Sequence, residues 1–218
     1  MTLIVAIDGP SGSGKSTVAR GVARELGLDV LDTGAMYRAV TLAVLKSGVD
    51  PADAAECARI ANDADLQVGA HVMLGGEDVT EAIRGPEVTS TVSQVSAHPE
   101  VRHELVDRQR AWIDERGGGV VEGRDIGTMV FPDATIKVFV TASDEERARR
   151  RQRDEVAAER AVDVDSVKED LARRDRADSS REASPLRAAD DAVIMDTTDR
   201  DVDDTVQDIV ERVRAVSD

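Results

Sequence analysis

The sequence predicts an α/β fold, a doubly wound parallel sheet of five strands with helices on both faces. Three observations carry that prediction. Short apolar runs alternate with segments of helical periodicity along the 218 residues. Aromatic side chains are scarce, so the interior must be built from Val, Ile, Leu and Ala, which suit parallel strands covered by helices. The stretch Gly9-Pro10-Ser11-Gly12-Ser13-Gly14-Lys15-Ser16 fits the phosphate-binding pattern G-x-x-x-x-G-K-[ST] at every fixed position, which makes the fold a P-loop form.

The elements follow in order. The apolar run 3–7 reads as a buried strand, and 15–26 carries apolar residues at helical spacing, so the loop has the strand–loop–helix setting that the pattern requires. Further strands are predicted at 30–31, 120–121, 136–140 and 193–195, and helices at 36–47, 101–115, 145–153, 164–177 and 202–213. One region breaks the alternation. A helical stretch at 51–64 precedes 66–80, which reads as short antiparallel strands joined by turns around Gly75-Gly76. It is expected to be a small subdomain, about 50–90, inserted into a single domain of residues 1–218.

The bulk chemistry narrows the partners. Lys and Arg total 28 against 44 Asp and Glu, a net charge of −16, which argues against nucleic acid or an anionic membrane as the main partner. The single cysteine, Cys57, excludes an internal disulfide and fits a reducing compartment. No apolar run approaches the length of a membrane span, and the first residues enter a strand directly rather than a charged and then apolar leader. The expectation is a soluble, cytoplasmic monomer.

The loop residues Gly9, Pro10, Ser11, Gly12, Ser13, Gly14, Lys15, Ser16 and Thr17 point to a nucleoside triphosphate. The glycines let successive N–H groups turn toward phosphate oxygens, and the following helix adds its positive end. Lys15 can reach the β- and γ-phosphates and the Ser16 hydroxyl can hold Mg²⁺. After the second strand come Asp32, Thr33, Tyr37 and Arg38, at the sheet edge where doubly wound folds bind ligands. There Asp32 either supports Mg²⁺ through water or caps the next helix, and the two are compatible. Arg38 can grip a phosphate.

Glu122-Gly123-Arg124-Asp125-Ile126-Gly127 also follows a buried strand, with Arg124 and Asp125 offering a fork of donors beside a carboxylate. Arg174, Asp178 and Arg181 stand at i, i+4 and i+7, spaced either for binding a phosphate and a hydroxyl or for a surface ion-pair ladder. The segment 147–153 holds five arginines in seven positions, Arg147, Arg149, Arg150, Arg151 and Arg153. They form either a solvated helix face or a mobile lid, about 147–165, that brings positive charge to the phosphates and excludes water.

Taken together, the segments IDGPSGSGKST, LDTGAMYRAVTLAVL, GEDVTEAIR, VSQVSAHPEVR, RQRAW, VEGRDIGTMVFPDA and RRDRADSSREASPL resemble the cytidylate kinases of bacteria over nearly the whole chain. The resemblance implies ATP-dependent phosphorylation of CMP and dCMP, and it makes the insertion the subdomain that binds the nucleoside monophosphate. It places Thr33, Tyr37 and Arg38 in the monophosphate pocket, Ser93 and Arg102 on the cytosine, and Arg124 and Asp125 as further readers of the base. Arg174 falls on phosphate, and Asp178 on the sugar with Arg181 beside it. Arg147, Arg150 and Arg151 become lid groups over ATP, and Lys15, Arg150, Arg151 and Arg174 carry catalysis. Thr33 and Glu122 stand where relatives frequently have serine and aspartate, which keeps the functional group in each case. Ala177 and Ser179 replace positions that are charged in some relatives. Two other readings stay open at this point: a kinase for a different small acceptor, such as UMP, AMP or a metabolite, and a nucleotide-controlled switch or ATPase.

Overall fold

The computed structural model describes residues 2–157 and 163–217. In chain order these form β1 (Leu3–Asp8), α1 (Lys15–Leu26), β2 (Val30–Asp32), α2 (Thr33–Ser47), α3 (Ala54–Asp63), β3 (Leu66–Val68), β4 (Val72–Leu74), β5 (Glu77–Asp78), α4 (Pro86–Val95), α5 (Pro99–Arg116), β6 (Gly118–Gly123), β7 (Ile136–Thr141), α6 (Asp144–Ala157), α7 (Val164–Ser180), β8 (Val193–Asp196) and α8 (Val202–Ser217). A 3₁₀ turn at Ala82–Arg84 and a π turn at Ile126–Val130 complete the described elements. The sheet is the five-stranded parallel sheet that the alternation predicts, in the order β2-β6-β1-β7-β8, with helices around it. The small antiparallel sheet is there too, in the order β3-β4-β5.

The chain forms two compact units. One joins the residues up to Val30 with those from Gly118 onward, and the other is Leu31–Gly117, so the division falls inside β2. The first unit holds the core of β1, β6 and β7. Val5, Ile7, Val120, Val138 and Val140 pack with Val18 and Val22 of α1 and Val206, Ile209 and Val210 of α8. In-register pairing of Asp8 with Gly123 brings the ends of β1 and β6 level beside the loop, while β7, paired to Asp8 through Phe139, runs on to Thr141. A smaller cluster of Ala148, Val167 and Leu171 joins α6 to α7. The second unit has its own core of Ala35, Ala39, Val72, Val79 and Ile83.

Local chemistry sets the helix ends. α1 starts after Gly14 (φ 89°) and stops at Gly27 (φ 65°), both in the left-handed region that glycine adopts at little cost. α2 begins at Thr33, three residues before the predicted 36, because the Asp32 carboxylate accepts from Ala35 N at 3.0 Å and caps it. α4 is not among the predicted helices. Its Val, Thr and Ser residues are weak helix formers, and Pro86 at the first turn with Val88, Val92 and Val95 at i, i+4 and i+7 is the signal that marks it. Of the lid expected at about 147–165, the first part is α6 and Asp163 caps α7, while 158–162 lie outside the described residues.

Candidate active site

In the first unit the loop between β1 and α1 curls through Gly9, Gly12 and Gly14, all at positive φ. Close approach is the second reason for these glycines. A Cβ at Gly9 would stand 2.1 Å from Val140 O, and one at Gly12 would stand 2.8 Å from Arg147 O. Lys15 begins α1 and its Nζ donates to Pro10 O at 3.4 Å, which folds the side chain back along the loop. Ser16 donates its hydroxyl to Glu122 Oε2 at 2.6 Å, and Glu122 is buried at the carboxyl end of β6.

The sequence alone assigns no role to Asp8 or Glu122, although Asp8 closes the apolar β1 and Glu122 stands one residue before the end of β6. Asp8 is buried, and its two oxygens accept from Ile126 N and Gly127 N, both at 2.8 Å. Desolvation pushes its pKa up to about 6. The Gly127 and Ile126 N–H groups oppose that rise, Asp125 adds to it, and Lys15 opposes it. The carboxylate therefore fixes the turn that follows Arg124-Asp125.

Arg124 is held at two points. Its Nε donates to Asp178 Oδ2 at 2.9 Å and its Nη1 to Gly9 O at 2.5 Å. α7 runs on through Ser180, so Arg174 and Asp178 do share a helix, and Arg181 stands just past its end with Nη1 3.7 Å from Asp178 Oδ1. Buried Asp178 thus sits between two guanidinium groups. Arg174 Nη1 reaches Ser11 Oγ at 3.5 Å. Desolvation, reinforced by the neighbouring Arg124, lowers the Arg174 pKa to about 10.

The arginine run divides by helix face. Arg147 donates to Ser11 O at 3.1 Å, and pairs with Asp144 at 2.6 Å and with Asp175. Burial works against its charge, but the bonds to Asp144 and Asp175 outweigh that and raise its pKa. Arg150 donates to Ser13 O at 3.1 Å and to Thr197 O at 2.6 Å. Arg151 pairs with Glu155 along the helix. Thr197 Oγ1 also donates to Ser13 O at 2.9 Å, a contact with no signal in the sequence.

The second unit carries the remaining residues. Thr33, Tyr37 and Arg38 occupy the first turns of α2, Ser93 lies on α4 and Arg102 lies in the first turn of α5. Arg38 Nη1 donates to Ile83 O and to Thr89 Oγ1, both at 2.9 Å, so its guanidinium is aimed by the 3₁₀ turn and α4. Arg102 lies over the Tyr37 ring at 5.2 Å and donates to Ser96 O at 3.2 Å. Among the described residues no cluster of three His, Cys, Asp or Glu could hold a metal, and no helix is long and apolar enough to cross a membrane.

Comparison with known proteins adds a family. The cytidylate kinase family model matches residues 5–215. The chain is 55% identical over 202 residues to a cytidylate kinase of Mycolicibacterium paratuberculosis, covering 90% of this chain and 89% of that one. It is 54% identical to a cytidylate kinase of Corynebacterium glutamicum, covering 98% and 95%, and 49% identical to one of Geobacillus kaustophilus, covering 96% and 95%. Among solved structures, an uncharacterized protein from Eubacterium ventriosum superposes with a TM-score of 0.57 at 13% identity, covering 99% of each chain. That likeness concerns the fold alone.

Proposed function

The chain belongs to the cytidylate kinase family, and we infer that it transfers the γ-phosphoryl group of ATP to CMP and dCMP, giving CDP and dCDP. The observation that carries this reading is the loop at Gly9–Ser16 joined to the buried Glu122 through Ser16. A cradle of backbone N–H groups, a lysine and an oxygen-only pair form what a polyphosphate with a hard cation needs.

The phosphates of ATP lie against the loop N–H groups and Lys15. Ser16 and Glu122 are the oxygen donors that would hold Mg²⁺, which would supply charge neutralisation at the phosphates. Asp32 is engaged in its cap on α2, which leaves it a supporting role toward water at most. Arg38 takes the CMP phosphate, with Thr33 and Tyr37 beside it. Ser93 and Arg102 donate to the acceptor edge of cytosine, and Asp125 accepts from its N4 amine. UMP presents an oxygen at that place, so acceptor would face acceptor and buried groups would be left unpaired. Asp178 accepts from the sugar hydroxyls between Arg124 and Arg181. Arg174, Arg150 and Arg151 add positive charge near the transferred group, and residues 147–165 form the lid. Phosphoryl transfer demands alignment and charge neutralisation rather than a strong base, which fits an arginine-rich site. The enzyme is read as a monomer.

The test is ATP consumption with Mg²⁺ against CMP, dCMP, UMP and AMP in parallel. Turnover with CMP and dCMP well above that with UMP or AMP is the expected result. A preference for UMP or AMP would move the reading to another acceptor kinase, and turnover independent of any monophosphate would replace it with an ATPase or switch.

A further inference from the structure

Three guanidinium groups meet the outer side of the phosphate-binding loop, each on a different carbonyl. Arg124 Nη1 donates to Gly9 O at 2.5 Å, Arg147 Nη1 to Ser11 O at 3.1 Å and Arg150 Nη1 to Ser13 O at 3.1 Å. Every second carbonyl of the stretch is held by an arginine.

Peptide geometry gives this a consequence. In a planar trans peptide the C=O and the following N–H point in opposite directions. A donor that pins Ser11 O therefore aims Gly12 N–H the other way, and one that pins Ser13 O aims Gly14 N–H. Gly9 O precedes Pro10, which has no N–H to aim, so Arg124 is left out of this effect. Arg147 and Arg150 lie one turn apart on α6, at the spacing that puts both on one face. The approach is tight. A Cβ at Gly12 would stand 2.8 Å from Arg147 O, and one at Gly14 would stand 3.1 Å from Arg150 Nη1.

Each guanidinium is also held from behind, Arg147 by Asp144 and Asp175 and Arg150 by Glu146 at 2.9 Å and Thr197 O at 2.6 Å. They are thus fixed donors rather than wandering cations. A cation on a carbonyl also polarises the peptide and strengthens the N–H at its far side.

We propose that Arg147 and Arg150 are positioning residues that aim and polarise the Gly12 and Gly14 N–H groups, setting the loop for polyphosphate before any ligand arrives. The proposal rests on the loop being the polyphosphate site. It adds a role in the ligand-free protein to the lid role that the family resemblance implies.

The experiment uses the full-length chain, ¹⁵N-labelled and ligand-free, with Arg147→Met, Arg150→Met and the conservative Arg147→Lys and Arg150→Lys. Two quantities are read: the Gly12 and Gly14 amide shifts, and the dissociation constant of inorganic tripolyphosphate. Arg147→Met is expected to move the Gly12 amide and Arg150→Met the Gly14 amide. Each should weaken tripolyphosphate binding roughly tenfold, as loss of a charge-assisted hydrogen bond does, with partial recovery in the lysine variants. Unmoved amides and unchanged tripolyphosphate binding, with only the turnover rate reduced, would overturn the proposal in favour of arginines that act on the transferred phosphate alone. If Arg147→Met does not fold, the two Arg150 variants decide the matter, since Arg150 is less buried. Neither readout involves a nucleoside monophosphate, so a failed CMP assay in the unaltered protein would sink the proposed function and leave this inference standing.

Discussion

Ser16 and Glu122 meet through a 2.6 Å hydrogen bond between residues 106 apart in the chain, one in the first turn of α1 and the other near the end of β6. The glutamate is buried, so its charge is costly unless a donor or a cation engages it. Glu122→Gln keeps the shape and the hydrogen-bonding reach but removes that charge. The expected outcome is a higher Mg²⁺ requirement and a turnover lowered about 10- to 100-fold, the usual effect of losing a group that orients a metal site. Turnover measured as a function of free Mg²⁺ checks it. An unchanged Mg²⁺ curve would remove Glu122 from the metal site.

Arg38 is held by Ile83 O and Thr89 Oγ1, and these bonds fix the orientation of a planar guanidinium, the group suited to a phosphate. Arg38→Ala should raise the KM for CMP by roughly 10- to 150-fold, the range for a lost hydrogen bond to a charged group. ATP affinity, read by equilibrium titration of the free protein, should hold. A parallel loss of both would contradict the assignment of Arg38 to the acceptor.

Asp125 bears on base selection. It is buried beside Arg124, on the turn that Asp8 pins through Ile126 N and Gly127 N. If its carboxylate accepts from the cytosine amine, Asp125→Asn supplies a donor that suits the uracil oxygen instead. The ratio of kcat/KM for CMP over UMP should fall by about 10- to 100-fold, equivalent to one buried mispairing. A ratio that does not move would assign discrimination to Ser93 and Arg102.

Much of this was legible before the structure, and the limits have physical causes. The loop and α1 could be read because their chemistry is local: glycines, a lysine and a hydroxyl at fixed offsets. The alternation of elements gave the five-stranded sheet because parallel strands are near-continuous apolar runs. Glu122 could not be paired with Ser16 from the sequence, because the pairing depends on β6 lying next to β1 in a particular register. α4 was hidden by its Val, Thr and Ser residues, whose weak helix propensity is overridden by burial of Val88, Val92 and Val95. The arginine run announced its charge but not its direction. Which guanidinium meets which loop carbonyl depends on the rotation of α6 about its own axis, and a run with five arginines in seven positions does not encode that rotation.

Asp8 gives a prediction about pH. Its folded-state pKa is raised to about 6 from an ordinary value of 3.8, chiefly by desolvation. A group raised on folding binds its proton more tightly in the folded chain, so its contribution to stability is complete below about pH 4 and is lost as pH rises through about 6. A shift of about 2 units corresponds to about 3 kcal/mol. Asp8→Asn has no such titration. The stability of the unaltered protein relative to Asp8→Asn should therefore fall by up to about 3 kcal/mol between pH 4 and pH 7, as read from urea midpoints at the two pH values. The ligand-free protein is the right sample, because ATP and CMP titrate in the same window and would mask the effect. The same titration should appear in the Gly127 and Ile126 amide signals, since a protonated Asp8 can no longer accept from both N–H groups without turning one oxygen into a donor. Amides that stay still from pH 4 to 7, with a constant stability difference, would show that Asp8 remains ionised throughout and that the two N–H bonds outweigh its burial.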